Sequence, residues 1–253
     1  MIKRHLRFLL NRLFAFVLRR RSTPYVASPG TVTLVLAPHQ DDETLGCGGL
    51  IARRRLDAQP VHVAFVTDGS GSHPDHPTLT REALATVRAA EARAALRKLG
   101  VETPAIHFLG LRDGTLNKLS PAESADAIER IAQLLERVQP DEVLLPYRHD
   151  GSSEHEAAFL LFASALRRHQ RRVRVLEFPV WSWWSPTLLL RPVLRVRKVV
   201  RFSFSGYAFL KTDALAAYRS QVAPTPPWPD ALLSADFCRM FARDEEFYFE
   251  IEP

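Results

Sequence analysis

Residues 31–43, TVTLVLAPHQDDE, decide the fold that this sequence predicts. The first seven of them form a continuous β-branched and apolar run, which is typical of a strand buried on both faces of a sheet. Such a strand needs helices on both faces, so the run favours an α/β protein. His39, Asp41 and Asp42 follow directly, and an imidazole and two carboxylates at the end of a buried strand suit a divalent metal ion. The alternative to a metal site is a structural role, in which one of these aspartates only caps the next helix.

Predicted strands and helices alternate along the rest of the chain. The strands are predicted over 31–37, 61–67, 105–109, 142–146 and 173–178, and the helices over 44–56, 81–99, 121–138 and 154–170. This alternation implies βαβ units, and therefore a Rossmann-like, mostly parallel sheet with helices on both faces. Ligands of such sheets bind beyond the carboxyl ends of the strands. The segments to search are residues 37–43, 67–77, 109–117 and 146–155.

The composition is that of an ordinary soluble globular protein, with 46% hydrophobic and 25% charged residues. It excludes a disordered, collagen-like or disulfide-rich chain. Cys47 and Cys238 are far apart and are expected to be buried small hydrophobic side chains rather than a redox pair. Residues 179–205 are aromatic, then apolar, then basic. They could be a substrate-side flap, a second membrane-facing surface, or an amphipathic strand pair that caps the sheet.

The distribution of charged residues distinguishes a segment at residues 1–24 from the α/β domain that is predicted over residues 30–253. Residues 1–22 carry seven of the 34 lysines and arginines and no acidic residue. The remaining 27 basic residues are balanced by 28 acidic ones, so the basic charge gives no reason to expect a nucleic-acid partner.

The N-terminal segment has helical spacing. Its apolar side comprises Ile2, Leu6, Leu9, Leu13, Phe16 and Val17, and the other side carries Lys3, Arg4, Arg7 and Asn11. Arg12 interrupts an apolar run that is already shorter than the ~20 residues of a membrane span. No small-residue cleavage site follows Arg21, so no cleaved signal peptide is expected. Two interpretations stay open: a helix in an anionic membrane surface, or a helix docked on its own domain or on a partner subunit.

A catalytic zinc ion usually takes three protein ligands, so a further ligand must come from another strand end. Two segments compete for that role. His76 lies in the sequence SHPDH after the second strand, and His155 lies in RHDGSSEH after the fourth. Position alone does not decide between these histidines.

Several motifs together resemble the PIG-L/LmbE-like family of zinc-dependent N-deacetylases, which act on N-acetylglucosaminyl compounds. Residues 38–49, PHQDDETLGCGG, resemble its AHPDDE signature, and residues 67–69, TDG, resemble the segment after its second strand. GLRDG at 110–114 and KTDALAAYRSQ at 211–221 resemble its later motifs. The family also has a helix that resembles the predicted helix with Arg81, Glu82, Arg88 and Glu91. The resemblance covers about residues 31–250.

The resemblance implies a role for each residue of the site. His39 and Asp42 are zinc ligands, Asp41 is the general base, and the third ligand is His155, so the HPDH at 73–76 borders the site without binding Zn²⁺. One departure is important: Ser152 stands where the family has a histidine that supports the oxyanion, and Glu154 stands where Asp is usual. Unless His149, His73 or His76 substitutes, loss of such a donor costs on the order of 10²-fold in rate.

The expected function is therefore a zinc-dependent hydrolase that removes acetate from an N-acetylated amino sugar, either a small molecule or a lipid-linked conjugate. The candidate substrate contacts are Arg81, Arg112, His73 and His149, whereas Arg88 is expected to be a solvated helix charge. The expected location is the cytoplasm, and the membrane-surface interpretation of residues 1–22 would place that helix on the inner face of the membrane. No oligomeric state is indicated.

The sequence leaves two alternative functions and disfavours a third. The first is a catalytically impaired sugar-binding or scaffold protein of the same fold. The second is a metal-dependent phosphoesterase, although few further carboxylates are evident for a second metal ion. A dinucleotide site is disfavoured, because Gly46, Gly48 and Gly49 follow the acidic run inside a predicted helix rather than a strand.

Overall fold

The computed structural model describes residues 2–168, 172–185, 187–188 and 198–251, with side chains from residue 5 onward. Its strands are β1 Ser22–Pro24, β2 Thr33–Ala37, β3 Val61–Thr67, β4 Ile106–Leu111, β5 Glu142–Pro146, β6 Arg174–Phe178, β7 Lys198–Ser203 and β8 Glu245–Ile251. Its helices are α1 Ile2–Arg21, α2 Asp42–Leu56, α3 Arg81–Lys98, α4 Pro121–Val138, α5 Ser153–Leu166, α6 Trp181–Trp184, α7 Ala208–Leu215, α8 Arg219–Val222 and α9 Ala235–Arg239.

The strands form one eight-stranded sheet in the order β1-β7-β8-β6-β5-β2-β3-β4. Only β8 runs antiparallel to its neighbours, β6 and β7, and the other pairs are parallel. The predicted α/β fold with a mostly parallel sheet is confirmed. The five predicted strands are β2 to β6, with ends that differ by a few residues. Strands β1 and β8 at one side of the sheet were not predicted, and β7 lies in residues 179–205, for which a strand pair was one of three alternatives.

Strand β2 lies between β3 and β5 and is buried along its whole length. Its alternate residues enter different cores: Val35 and Ala37 pack in one apolar cluster, and Leu34 and Leu36 in another. The two clusters lie on opposite faces of the sheet because successive side chains of a strand point to opposite faces. The continuous apolar run is therefore explained by burial on both sides.

Helix α2 lies close to the sheet because two of its residues lack a side chain. A Cβ atom on Gly46 would lie 2.3 Å from the ring of Phe178, and one on Gly49 would lie 2.3 Å from the ring of Phe204. Cys47 between them is completely buried, as expected, while Cys238 is half-buried, and both are free thiols. The glycines thus have a packing role within the helix and form no phosphate-binding turn.

Helix α1 docks on the rest of the domain, but not through the face that the sequence singled out. Asn11, expected on the solvent side, is 1% exposed: its amide donates to the Trp183 carbonyl, and Arg243 donates to its Oδ1. Arg19 forms an ion pair of 2.6 Å with Glu245 of β8. The apolar residues Leu6, Leu9, Leu13 and Phe16 are each more than half exposed.

The N-terminal segment is also tied to the sheet, because β1 pairs with β7 from Ser22 to Pro24. Within residues 179–205, Trp181–Trp184 form one helical turn and β7 joins the sheet beside β8. Residues 189–197, the apolar and basic part of that segment, lie outside the described residues. Among the helices that the structure describes, none is long and apolar enough to cross a membrane.

Candidate active site

The segment that follows β2 is fastened to the end of the neighbouring strand β3. Thr67 donates from its N–H and its Oγ1 to the Pro38 carbonyl, and the Gln40 amide donates to the Thr67 carbonyl at 2.8 Å. Asp41 then adopts a φ of 138°, which is unusual for a residue other than glycine and is typical of functional sites. Asp41 precedes α2, but its side chain makes no capping hydrogen bond.

The carboxylate of Asp42 is the centre of the site. Its Oδ2 lies 3.1 Å from His39 Nδ1 and 3.3 Å from His155 Nε2. His155 is on the first turn of α5, which follows β5, the strand beside β2. The candidate ligand atoms of these three residues all lie within 4.8 Å of one another. The three residues therefore lie together because they follow the neighbouring strands β2 and β5.

His76, the competing third ligand, is elsewhere. It is half-buried, its Nε2 lies 2.9 Å from the Pro226 carbonyl, and its ring contacts Trp228 edge-on. The arrangement thus brings together His39, Asp42 and His155, as the family resemblance implied, and leaves out His76.

Two observations show that this donor set fits a zinc ion. Both ring nitrogens of the fully buried His155 lack a well-directed hydrogen bond, although Nε2 faces Asp42 and Nδ1 lies 2.9 Å from Asp150. A neutral imidazole has one N–H and can satisfy only one of these carboxylates, so a cation at Nε2 would resolve the contact. Two imidazoles and one carboxylate are also a usual ligand set of catalytic zinc.

The charges of this centre shift one another's pKa values. Burial lowers the pKa of His155, but Asp42 and Asp150 outweigh it and raise that pKa to about 9. Burial raises the pKa of Asp42, but the two histidines hold it well below its usual range. Burial raises the pKa of Asp41 to about 7, against the opposing effect of Arg88. A carboxylate with a pKa near neutrality is suited to accept and return a proton.

Arg88 is a residue of the candidate site that the sequence interpretation placed at the surface. The expectation of a solvated helix charge is wrong, because Arg88 is 1% exposed and its Nη2 lies 3.3 Å from Asp41 Oδ2. Its Nε and Nη1 have no hydrogen-bond partner within the part of the chain that is described. The signal that could have found it is its spacing, since Leu84, Arg88 and Ala92 form one buried row on α3.

The cleft beside the centre has a volume of about 220 Å³, with a polar side and an apolar side. It is lined by His39, Asp41, Asp42, Leu45, Gly71, Ser72, Arg88, Asp113, Val180, Trp181, Gln221, Leu232, Leu233 and Phe237.

The four predicted substrate contacts do not line this cleft. Arg81 donates to the Asp113 carbonyl at 2.6 Å and so holds the loop that bears Asp113. Arg112 is exposed in a separate groove. His73 is buried against Trp228, and His149 is exposed with its ring edge-on to Tyr147.

Fold and site together define an α/β protein with a candidate single-metal centre beyond the carboxyl ends of β2 and β5. Residues 34–166 match the PIG-L family, whose description is GlcNAc-PI de-N-acetylase. The chain is 31% identical over 191 residues to the probable N-acetyl-alpha-D-glucosaminyl L-malate deacetylase 2 of Bacillus subtilis (strain 168), covering 74% of this chain and 82% of that protein. The chain belongs to the PIG-L family.

Solved structures share the fold at lower identity. The N,N'-diacetylchitobiose deacetylase of Pyrococcus horikoshii superposes with a TM-score of 0.59 at 20% identity, covering 88% of this chain and 80% of that one. The 4-carboxy-2-hydroxymuconate hydratase of Pseudomonas putida KT2440 gives 0.60 at 21% identity, covering 76% and 80%. Since the second protein is a hydratase, the fold alone does not define the reaction.

The ligand set makes a prediction that separates the two candidate histidines. We expect His155→Ala to lose most of its zinc after purification and dialysis, because it removes one of the three ligands. His76→Ala is the matched control and should retain zinc at the wild-type ratio, measured as zinc per chain by mass spectrometry of the elements. Full zinc retention in His155→Ala, or loss in His76→Ala, would contradict the assignment.

Proposed function

We propose that this protein is a zinc-dependent N-deacetylase that releases acetate from an N-acetylated amino sugar or sugar conjugate. The observation that carries the proposal is the pairing of a three-ligand centre, His39, Asp42 and His155, with a separate buried carboxylate, Asp41. The deacetylase relative from Bacillus subtilis supports the same reaction class. The substrate and the use of zinc are part of the proposal.

A zinc ion held by the three ligands would polarise the amide carbonyl and make water a stronger acid. Asp41 accepts the proton of the attacking water, whose oxygen bonds to the carbonyl carbon. The C–N bond then breaks, and the proton held by Asp41 goes to the departing nitrogen, which gives acetate and a free amine. A pKa of about 7 suits Asp41 to both proton transfers. Arg88 lines the cleft and places a positive charge beside Asp41.

This reaction gives the central prediction. Wild-type protein with zinc should release acetate from at least one member of a panel of N-acetylated sugars that includes free, nucleotide-linked and lipid-linked forms. Asp41→Asn should lower kcat by about 10²–10⁴-fold, because it removes the general base. Its zinc content should stay at the wild-type level, since Asp41 is not a ligand in the proposed centre.

The outcomes of that panel separate the candidate functions. Acetate release that survives in Asp41→Asn would show that the base is another residue. Binding of an acetylated sugar without turnover would favour the impaired sugar-binding protein. Release of phosphate but not acetate would favour the phosphoesterase.

The described residues give little support for the two-metal phosphoesterase. A second possible ligand cluster comprises His39, Asp113 and Glu154. It shares His39 with the first cluster, and its carboxylates already accept backbone N–H groups: Asp113 from Gly71, and Glu154 from Gly114 and Leu116. Few free ligand atoms are left for a second ion, so a one-metal hydrolase is favoured.

Ser152 bears on how efficient the enzyme is. Neither His73, His76 nor His149 lines the cleft, so none of the histidines considered as a substitute faces the centre. Ser152 itself precedes α5 as its N-cap residue and makes no side-chain capping bond. Arg88 and the proposed cation therefore supply the positive charge for the oxyanion.

A single substitution tests this interpretation. Ser152→His restores the residue that the family has at this position, and we expect kcat to rise by up to about 10²-fold. The control is Ser153→His, because Ser153 is exposed on the first turn of the same helix. If Ser152→His leaves kcat unchanged while its zinc content is normal, the serine is not what limits the reaction.

We further propose that α1 contacts an anionic membrane surface on the cytoplasmic side and that the substrate is lipid-linked. The support is the exposed apolar row Leu6, Leu9, Leu13 and Phe16 on a helix whose opposite face is docked. The segment is basic and carries no acidic residue, which complements anionic lipid.

The docking of α1 determines how this proposal is tested. Deleting the helix would uncover Leu18, which is completely buried, so point substitutions are cleaner. Leu9→Gln with Phe16→Gln should lower flotation with phosphatidylglycerol vesicles by at least about tenfold, because burying each such side chain contributes about 1.5–3 kcal/mol. Leu160→Gln is the matched control, since Leu160 on α5 is 65% exposed and Leu9 is 66% exposed. No flotation of the wild type, or equal flotation of the double variant, would rule out this contact.

A further inference from the structure

Each of the two histidines of the centre has a second carboxylate on the ring nitrogen that faces away from Asp42. His39 Nε2 lies 3.1 Å from Asp113 Oδ1, and His155 Nδ1 lies 2.9 Å from Asp150 Oδ2. The nitrogens that face Asp42 are the opposite ones, Nδ1 of His39 and Nε2 of His155. The two rings therefore present different atoms to the centre.

The outer carboxylate on His155 is fixed in place by the backbone. Asp150 is completely buried and accepts the N–H groups of Val180, Trp181 and Ser182 at 2.9–3.1 Å. Because Val180 and Trp181 line the cleft, Asp150 also joins a metal ligand to the apolar wall of the cleft.

The outer carboxylate on His39 is fixed in a similar way. Asp113 Oδ2 accepts the Gly71 N–H at 2.8 Å, and the loop around Asp113 is held by Glu154. The Glu154 carboxylate accepts the N–H groups of Gly114 at 3.3 Å and Leu116 at 2.9 Å. With these bonds in place, Asp113 presents one oxygen to His39 and is not free to turn toward Asp42.

We propose that Asp113 and Asp150 are positioning residues that set opposite tautomers in the two histidines. Asp113 holds the proton of His39 on Nε2, so His39 binds the cation through Nδ1. Asp150 holds the proton of His155 on Nδ1, so His155 binds the cation through Nε2. A carboxylate on the outer nitrogen of a ligand histidine fixes its tautomer and ring orientation. This inference rests on the proposed metal centre but not on the reaction that the centre performs.

The rival arrangement is a cation in the cluster of His39, Asp113 and Glu154. There, His39 would bind through Nε2 and Asp113 would be a ligand. The hydrogen bonds of Glu154 weigh against it, because both of its carboxylate oxygens already accept backbone N–H groups, and Asp113 Oδ2 accepts another. The two arrangements predict different nitrogens of His39 on the metal, so they can be told apart.

The deciding experiment is a two-bond ¹H–¹⁵N correlation spectrum of the zinc-loaded full-length protein with ¹⁵N-labelled histidine. We expect His39 to carry its proton on Nε2 and His155 on Nδ1, with His39→Gln and His155→Gln used to assign the signals. A zinc-bound Nε2 on His39, or a zinc-bound Nδ1 on His155, overturns the proposal.

Zinc affinity gives an independent readout. Asp113→Asn and Asp150→Asn should each weaken zinc binding by about 10–100-fold in a chelator competition, as loss of an outer carboxylate does elsewhere. The control is Glu177→Gln, because Glu177 is equally buried but pairs with Arg148 rather than with a histidine. Melting temperatures of the metal-free variants show whether an Asn variant has lost its fold instead. Wild-type affinity in both correctly folded Asn variants also overturns the proposal.

These measurements use zinc alone, so they separate the inference from the proposed function. If the tautomers are as stated but no acetylated sugar is hydrolysed, the deacetylase proposal fails and the positioning roles stand. If acetate is released while His39 binds zinc through Nε2, the positioning roles fail and the deacetylase stands.

Discussion

Three consecutive carboxylates, Asp41, Asp42 and Glu43, are buried at the end of β2, and the packing around them follows from that constraint. Buried charge is costly unless it is paired and hydrogen-bonded. Each carboxylate therefore has its own partner: Arg88 beside Asp41, the two histidines beside Asp42, and the Tyr218 hydroxyl at 2.5 Å from Glu43. These partners come from α3, from the segment between β2 and α2, from α5 and from the residue before α8. The acidic run thus determines which faces of several elements point inward.

The strand that opens the site could be predicted because burial on both faces leaves a local trace, an unbroken apolar run. The strands on the other side of the sheet, β1, β7 and β8, left no such trace. Strand β8 begins with Glu245 and Glu246, which are buried because Arg19 and Lys211 pair with them from distant parts of the chain. Asn11 and Arg88 were misjudged for the same reason. A polar residue is expected at the surface unless its partner is known, and here the partners become visible only in the folded chain.

The choice between His76 and His155 shows how far sequence position can go. The two candidate loops follow β3 and β5, which flank β2 on either side. Because ligands bind beyond the carboxyl ends of the strands, either loop could supply the third metal ligand. The two histidines differ in where the folded chain places them. The loop after β3 is held away by the contacts of His76 with Pro226 and Trp228, whereas His155 is on the first turn of α5 and faces Asp42. The motif resemblance implied the histidine that lies beside Asp42, whereas sequence position alone left both candidates open.

Residues 152 and 154 differ from the family pattern. One difference concerns the support of a candidate metal ligand, and the other concerns catalysis. Glu154 is one methylene longer than the usual Asp, and its carboxylate bonds to two N–H groups of the loop that carries Asp113. Glu154 therefore holds the loop whose Asp113 lies 3.1 Å from His39. For the proposed reaction Ser152 has a different consequence, because its short hydroxyl stands where the family resemblance implies an imidazole that supports the oxyanion. Charge stabilisation is usually the largest contribution to catalysis of this kind. A well-supported ligand set can thus coexist with a slow reaction, and metal affinity and turnover are separate properties of this site.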